Sequence, residues 1–428
     1  MPGMGIKKLV LDTIQIQEKA DAARVIYTLA NAMGAWFGPY VTGCFDSLFP
    51  LIHFKYSSDV RSTVAQALGQ IFNSSCEYAL TKDANLSDAS IPIKVFYKMV
   101  LAIAQQMEVE EEDDIETLFA QVDAMSEMCH SSYENTREVD GSFIAQFHFE
   151  EAKTFVVELI KSVKSCINRR NVILNQEKNF QDNDENAEYE QLLSREAEIL
   201  TELVNCIGYT IKMLKQDFAT IFDEYVAPLF GSILIQSRTN DVRARLAALC
   251  IFADCVEHGG PITVARYAPM LVDGVREGID DSFNGGDMEL KQVAVYSIIQ
   301  IARQAPPSTL ASIVGPLLKN LLEIAGQFKP KDEIEDLCLV EYASSAIATL
   351  VLFSNSPFSK ENGIDKHQIT NVFLSNLPLQ EDENEAKVRQ FILLYYFFSQ
   401  TTFVLNFFLH YLVYYRWMVR FVIRGFAK

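Results

Sequence analysis

A proline followed at once by Leu or Met recurs in apolar stretches of this chain, at Pro50-Leu51, Pro228-Leu229, Pro269-Met270, Pro316-Leu317 and Pro378-Leu379. After three of these come a polar turn and a Val-Arg pair heading a second apolar stretch: Val60-Arg61, Val242-Arg243 and Val388-Arg389. The later prolines are separated by 41 and 47 residues, and the 178 residues from Pro50 to Pro228 divide into four steps of about 44.5. Nothing else in the sequence restricts the fold as strongly. A unit of this length that holds two apolar stripes cannot bury them alone, so it must stack on copies of itself.

The stripes have helical spacing. Val60, Val64, Leu68 and Ile71 form one, Val242, Leu246, Leu249, Ala253 and Val256 a second, and Leu290, Ala294, Ile298 and Ile301 a third. Helix pairs are predicted at 38–80, 88–132, 140–216, 218–260, 261–306, 307–355 and 365–400, with 16–33 a helix that lacks a preceding partner. The expected fold is all-α, a HEAT-repeat superhelical solenoid of about eight helix pairs with a non-repeat hydrophobic C-terminal tail. Residues 1–37 form a partial N-terminal repeat, 38–390 the solenoid, and 391–428 the tail. Each proline is expected to bend its first helix. Each Val-Arg pair is expected to put Val in the core, while Arg reaches Asp59, Asp241 or a neighbour's acid. Two acidic insertions, near 108–116 and 175–190, read as solvated, mobile loops because like charges repel.

The formal net charge is −19, and the last 38 residues carry four cations and no acid, so residues 1–390 carry −23. That field repels nucleic acid and attracts basic partners. The eight cysteines include no Cys-x-x-Cys pair and lie on apolar helices, as reduced thiols of a cytosolic or nuclear protein do. Asp182-x-Asp184-x-Asn186 begins like a calcium loop, but Ala187 stands where Gly is needed and Leu193 where Glu is needed. The six histidines show no metal-ligand spacing, and no phosphate-binding glycine loop or nucleophile elbow occurs. No catalytic, cofactor or metal residues are assigned, and the chain reads as a binding protein and not an enzyme.

If first helices form the convex side of the stack, acids on second helices line a concave wall that focuses its field on basic segments. The candidates are Asp254, Glu257, Glu289, Glu335, Asp336 and Glu341.

The segment from Leu249 to His258, LCIFADCVEH, resembles a helix of the importin-beta (karyopherin-beta) family, in its importin-five branch. Tyr267-Ala268-Pro269-Met270-Leu271, Gln292 to Ser297, Val314 to Leu318 and Leu377 to Ala386 resemble the same branch in the same order. The resemblance runs over about residues 5–400 and is strongest from 218 to 390. It implies a nuclear transport receptor of the cytoplasm and nucleus, which binds basic nuclear-localisation segments, passes Phe-Gly nucleoporins and releases cargo to Ran-GTP. What is present resembles the C-terminal half of that family, so the main Ran and nucleoporin surfaces are expected to be absent.

From Phe391 to Tyr415 no residue is charged, and Arg416, Arg420, Arg424 and Lys428 follow at intervals of four. Such a run is long enough to span a bilayer, so a scaffold or adaptor with a membrane-anchoring tail is the alternative reading. A partner-bound helix and a replaced chain end also fit this run.

Overall fold

A computed structural model describes residues 13–81, 90–111, 114–134, 146–176, 183–235, 241–280, 286–326 and 336–353, together with 369, 371–372 and 375–376. The Pro378-Leu379 and Val388-Arg389 pairs, Glu335 and the whole 391–428 tail lie outside the described residues. Every element among those described is helical. They divide into two compact units, one within Met1–Ile233 and Thr239–Gly260, the other within Leu234–Arg238 and Pro261–Lys428.

In the first unit, α1 (Thr13–Met33) precedes a first-helix segment made of a 3-10 turn (Gly34–Tyr40), α2 (Val41–Leu48) and another 3-10 turn (Phe49–His53). Then follow α3 (Ser58–Ala79), α4 (Ile91–Met107), α5 (Ile115–Glu134), α6 (Phe149–Gln176) and α7 (Asn183–Leu214). The next first helix is composite. A 3-10 turn (Lys215–Phe218), a single α turn (Ala219–Ile221) and a π turn (Phe222–Val226) lead into α8 (Ala227–Ile235), and α9 (Val242–His258) closes the unit. The second helices α1, α3, α5, α7 and α9 pack on one another in chain order as one row. The first helices α4 and α6 make the other layer, each against its own second helix. In the second unit, α11 (Met288–Gln304) and α13 (Leu337–Phe353) pack together, and α12 (Pro307–Ala325) packs on α13, with α10 (Gly260–Ile279) preceding them.

The stripes explain the row. Val60, Val64, Leu68 and Ile71 on α3 are all buried, as are Leu290, Ala294, Ile298 and Ile301 on α11. On α9 the buried stripe is Leu246, Leu249, Ala253 and Val256, while Val242 is only half-buried. The Val-Arg rule therefore holds at Val60 and weakens at Val242, where Arg245, 5 % exposed, goes inward. Between the layers a file of rings runs from Phe72 to Phe96, Phe147 and Phe155, with centroids 5.3, 4.8 and 5.1 Å apart.

Five second helices, α3, α5, α9, α11 and α13, begin on a polar cap. Ser57 Oγ accepts from Val60 N at 3.3 Å, Asp241 from Arg243 N and Ala244 N at 3.1 and 3.3 Å, Asp287 from Leu290 N at 2.8 Å, and Asp336 from Leu339 N at 2.8 Å. Asp114 accepts from Thr117 N at 3.2 Å at the start of α5. A cap satisfies an orphan amide of the first turn, so the polar turns of the repeat are helix starters. Several also join neighbouring repeats. Asp241 holds Arg170 of α6 by two bonds of 2.8 and 2.7 Å, Asp336 accepts from Gln292 of α11 at 2.7 Å, and Asp59 takes Arg24 of α1.

Three expectations change. The prolines do not impose one common kink. Pro50 starts a 3-10 turn, Pro228 follows a π turn, and Pro269 sits inside an unbroken α10. The acidic run at 108–114 is not simply a solvated loop, because Glu110 is fully buried as the partner of Arg61. Its carboxylate accepts from Arg61 Nε at 2.7 Å, from Arg61's terminal nitrogen, from Gln106 at 3.0 Å and from Gln121 at 2.7 Å. Arg61 thus answers a neighbouring repeat's acid 49 positions later, one of the alternatives expected for it, and not Asp59. In the second acidic insertion, α6 continues to Gln176 and α7 begins at Asn183, so much of 175–190 is helix. Good helix formers from Ala187 onward carry that helix.

Candidate partner-binding face

The second-helix row of the first unit carries a chain of acids. Asp123 and Glu127 stand one turn apart on α5, and Glu202 faces them from α7. Asn73 of α3 donates to Glu127 at 3.2 Å and accepts from Ser131 at 2.6 Å, while Asn205 donates to Glu202 at 3.1 Å. These amides orient the carboxylates without neutralising them. Further along α7, on the same side of the helix, the Tyr209 ring meets His130 and Tyr133 with centroids at 5.5 and 5.9 Å. Lys212 Nζ lies over the Tyr209 ring at 5.3 Å and reaches Asp254 of α9 at 3.5 Å.

Electrostatics mark this face as acid-rich. Burial pushes the Asp123 carboxyl above its ordinary range, and the charges of Glu127 and then Glu202 push it further. The Tyr209 hydroxyl is pushed up to about 12, first by burial and then by Glu134, Cys129, Glu202 and Asp254. Asp254 is also raised by burial, and Lys212 opposes that shift. A Cβ at Gly208 would lie 2.5 Å from Asp254 Oδ2 and would displace that carboxylate.

The acids expected from sequence separate into distinct roles. Asp254 and Glu257 belong to this face, with side chains 23 % and 31 % exposed. Glu289 is exposed in the first turn of α11. Asp336 spends both oxygens on Leu339 N and Gln292, which makes it a cap and a repeat-to-repeat link. Glu341 is 2 % exposed, inside α13's packed surface and not on an open wall. Asp336, at a helix start, serves that helix and the neighbouring repeat before it serves solvent, whereas Glu341 sits at a packed position of α13. Glu335 lies outside the described residues.

Asp123, Glu127 and Glu202 were not singled out from sequence. One signal was available: like charges at i and i+4 destabilise an isolated helix, so the Asp123–Glu127 spacing needs another reason to exist. Ligand atoms of Asp254, Glu257 and His258 lie within 4.8 Å of one another, a grouping that the histidine spacings did not suggest. Lys212 already supplies Asp254 with a cation.

No family model matches the chain. Among solved structures it is similar to the karyopherin Kap121p bound to the SUMO protease Ulp1p, at 16 % identity and TM-score 0.66, covering 88 % of this chain and 31 % of that one. It is similar to Kap121p bound to Pho4p at 16 % identity and TM-score 0.65, and to Kap121p bound to RanGTP at 16 % and 0.64, with the same coverages. The chain therefore has an importin-beta-like fold, an all-α HEAT-repeat solenoid, and spans about a third of the length of the structures it matches.

Proposed function

We propose that this chain binds basic segments of partner proteins on its acidic second-helix face, as a portion of a nuclear transport receptor. The observation that carries the reading is the Asp123–Glu127–Glu202 group, in which burial and then the charges of Glu127 and Glu202 raise the Asp123 carboxyl. A lysine or arginine arriving there relieves that repulsion, and the amides of Asn73 and Asn205 keep the carboxylates aimed. The net charge of −19 adds long-range attraction for a basic partner. The karyopherin fold supports the same reading, since its helical rows give extended binding surfaces. In this role the chain carries no catalytic group or cofactor and shuttles between cytoplasm and nucleus. Ran-GTP and Phe-Gly nucleoporins act mainly on repeats other than these.

Fluorescence anisotropy with a labelled lysine-rich localisation peptide tests the proposal at low and moderate salt. Saturable binding that weakens with salt, and at least tenfold in a D123N/E127Q/E202Q variant, is the expected result. Absence of binding at any salt, or equal binding by the variant, would refute it. A second reading, a scaffold with a membrane-anchoring tail, is favoured by the uncharged run from Phe391 to Tyr415. Quantitative recovery of the expressed chain in the soluble fraction would remove it.

A further inference from the structure

Where α4 ends and α5, α6 and α7 converge, the first unit contains a cavity of about 110 Å³. Leu118, Ile199 and Leu203 give it an apolar wall, and each of these is buried. Ser162 of α6 also lines it, only 9 % exposed, and its hydroxyl has no hydrogen-bond partner in the protein. A buried hydroxyl left unmatched is costly, and the space is well above the roughly 10–15 Å³ that one water needs.

The charged groups of the lining define the guest by exclusion. Glu110 is saturated by Arg61, Gln106 and Gln121. Arg169 is paired through two nitrogens with Glu196. At the half-exposed mouth, Lys161 spans Glu158 at 2.9 Å and Glu108 at 3.3 Å. A cation or an anion entering the cavity must break up at least one of these pairs. What remain for a guest are the hydroxyls of buried Ser162 and exposed Ser165, each able to donate and accept, beside an aliphatic wall.

We propose that this cavity binds a small neutral solute with a compact apolar body and a single hydroxyl or amide. The apolar portion rests on Leu118, Ile199 and Leu203, and the polar end bonds to Ser162 Oγ. The same chemistry is presented by the end of a threonine side chain on a partner.

The full chain labelled at its methionine methyls supplies the test, because Met107 also lines the cavity and an M107L variant assigns its resonance. Titration with 2-propanol or propionamide is expected to shift the Met107 methyl saturably. The affinity is expected to fall at least tenfold in S162V, and in S162A should valine disturb the packing. Sodium phosphate and guanidinium chloride are expected to leave the resonance in place. A saturable shift with the tripeptide Gly-Thr-Gly as well identifies a seat for a partner's side chain, and its absence identifies a free-solute pocket. No saturable shift in the wild type, equal affinity in both Ser162 variants, or an equal response to either charged probe overturns the proposal.

Discussion

Asp241 does two jobs, and they can be pulled apart. Its carboxylate caps α9 through Arg243 N and Ala244 N and also holds the Arg170 guanidinium, with side-chain exposures of 4 % for Arg170 and 3 % for Asp241. Arg170 in turn donates to the Leu193 carbonyl at 2.9 Å, so the cluster ties α6, α7 and α9 together. D241A removes the cap, worth about 1 kcal/mol, and strands a buried charge, worth about 3–5 kcal/mol, for a loss of about 4–6 kcal/mol. D241N keeps a competent cap and loses only the charge, so about 3 kcal/mol is expected to go. R170M/D241S retains a capping oxygen and removes the charge pair, so it should return to within about 1 kcal/mol of wild type. The assay is amide hydrogen exchange on peptides covering 242–258 and 149–176, which reads local opening without assuming two-state unfolding of a two-unit chain. With about 1.4 kcal/mol per tenfold, D241N should speed exchange by about a hundredfold and D241A by a thousandfold or more. If D241N exchanges like wild type, the buried pair stabilises nothing. Coincident rates for D241A and D241N would show that the carboxylate is no cap.

Three further outcomes are expected. Gly38→Ala places a Cβ 2.1 Å from the Tyr78 ring carbon Cγ, so overpacking should cost about 1–3 kcal/mol or more, read as a lowered Tm. Asp123 has a raised carboxyl in the folded state, so the fold binds its proton more tightly than the unfolded chain does. Its destabilising effect is therefore absent below the ordinary carboxylate range and fully present above the raised value. D123N should accordingly stabilise at neutral pH and flatten the pH dependence just above that range in urea titrations at a series of pH values. Native thiol labelling should spare Cys76, Cys129, Cys166, Cys206 and Cys255, which are buried, and reach Cys44, Cys250 and Cys338 first, with all eight reacting in denaturant. Burial pushes the Cys76, Cys166, Cys206 and Cys255 thiols up, which reinforces that order.

Much of the helix order could be read directly, because apolar spacing is a property of near neighbours in the chain. The stripes on α3 and α11 are buried as their spacing requires. The candidate site was legible only in some of its residues. Asp254 and Glu257 could be proposed from their shared helix face, but Asp123, Glu127 and Glu202 come together only because α5 lies against α7. Glu341 looked like any other acid on a second helix, yet its position is buried. Glu110 sat in a run of acids that by composition belongs in water, and its burial depends on Arg61 arriving from α3.

The amino-acid sequence by itself determined that this protein is a stack of helix pairs, where many of those helices run, and that its formal net charge is −19. Those are consequences of periodicity and composition, which act over a few residues or over the whole chain at once. Only the tertiary structure decided which acids are spent and which stay available. Arg61 and Glu110 are 49 positions apart, and Arg170 and Asp241 are 71 apart. An acid that meets such a partner becomes a buried tie between repeats, whereas Asp123 meets Glu127 and Glu202 instead. Sequence distance carries no information about which meeting occurs, because stacking sets those neighbours after the helices have formed.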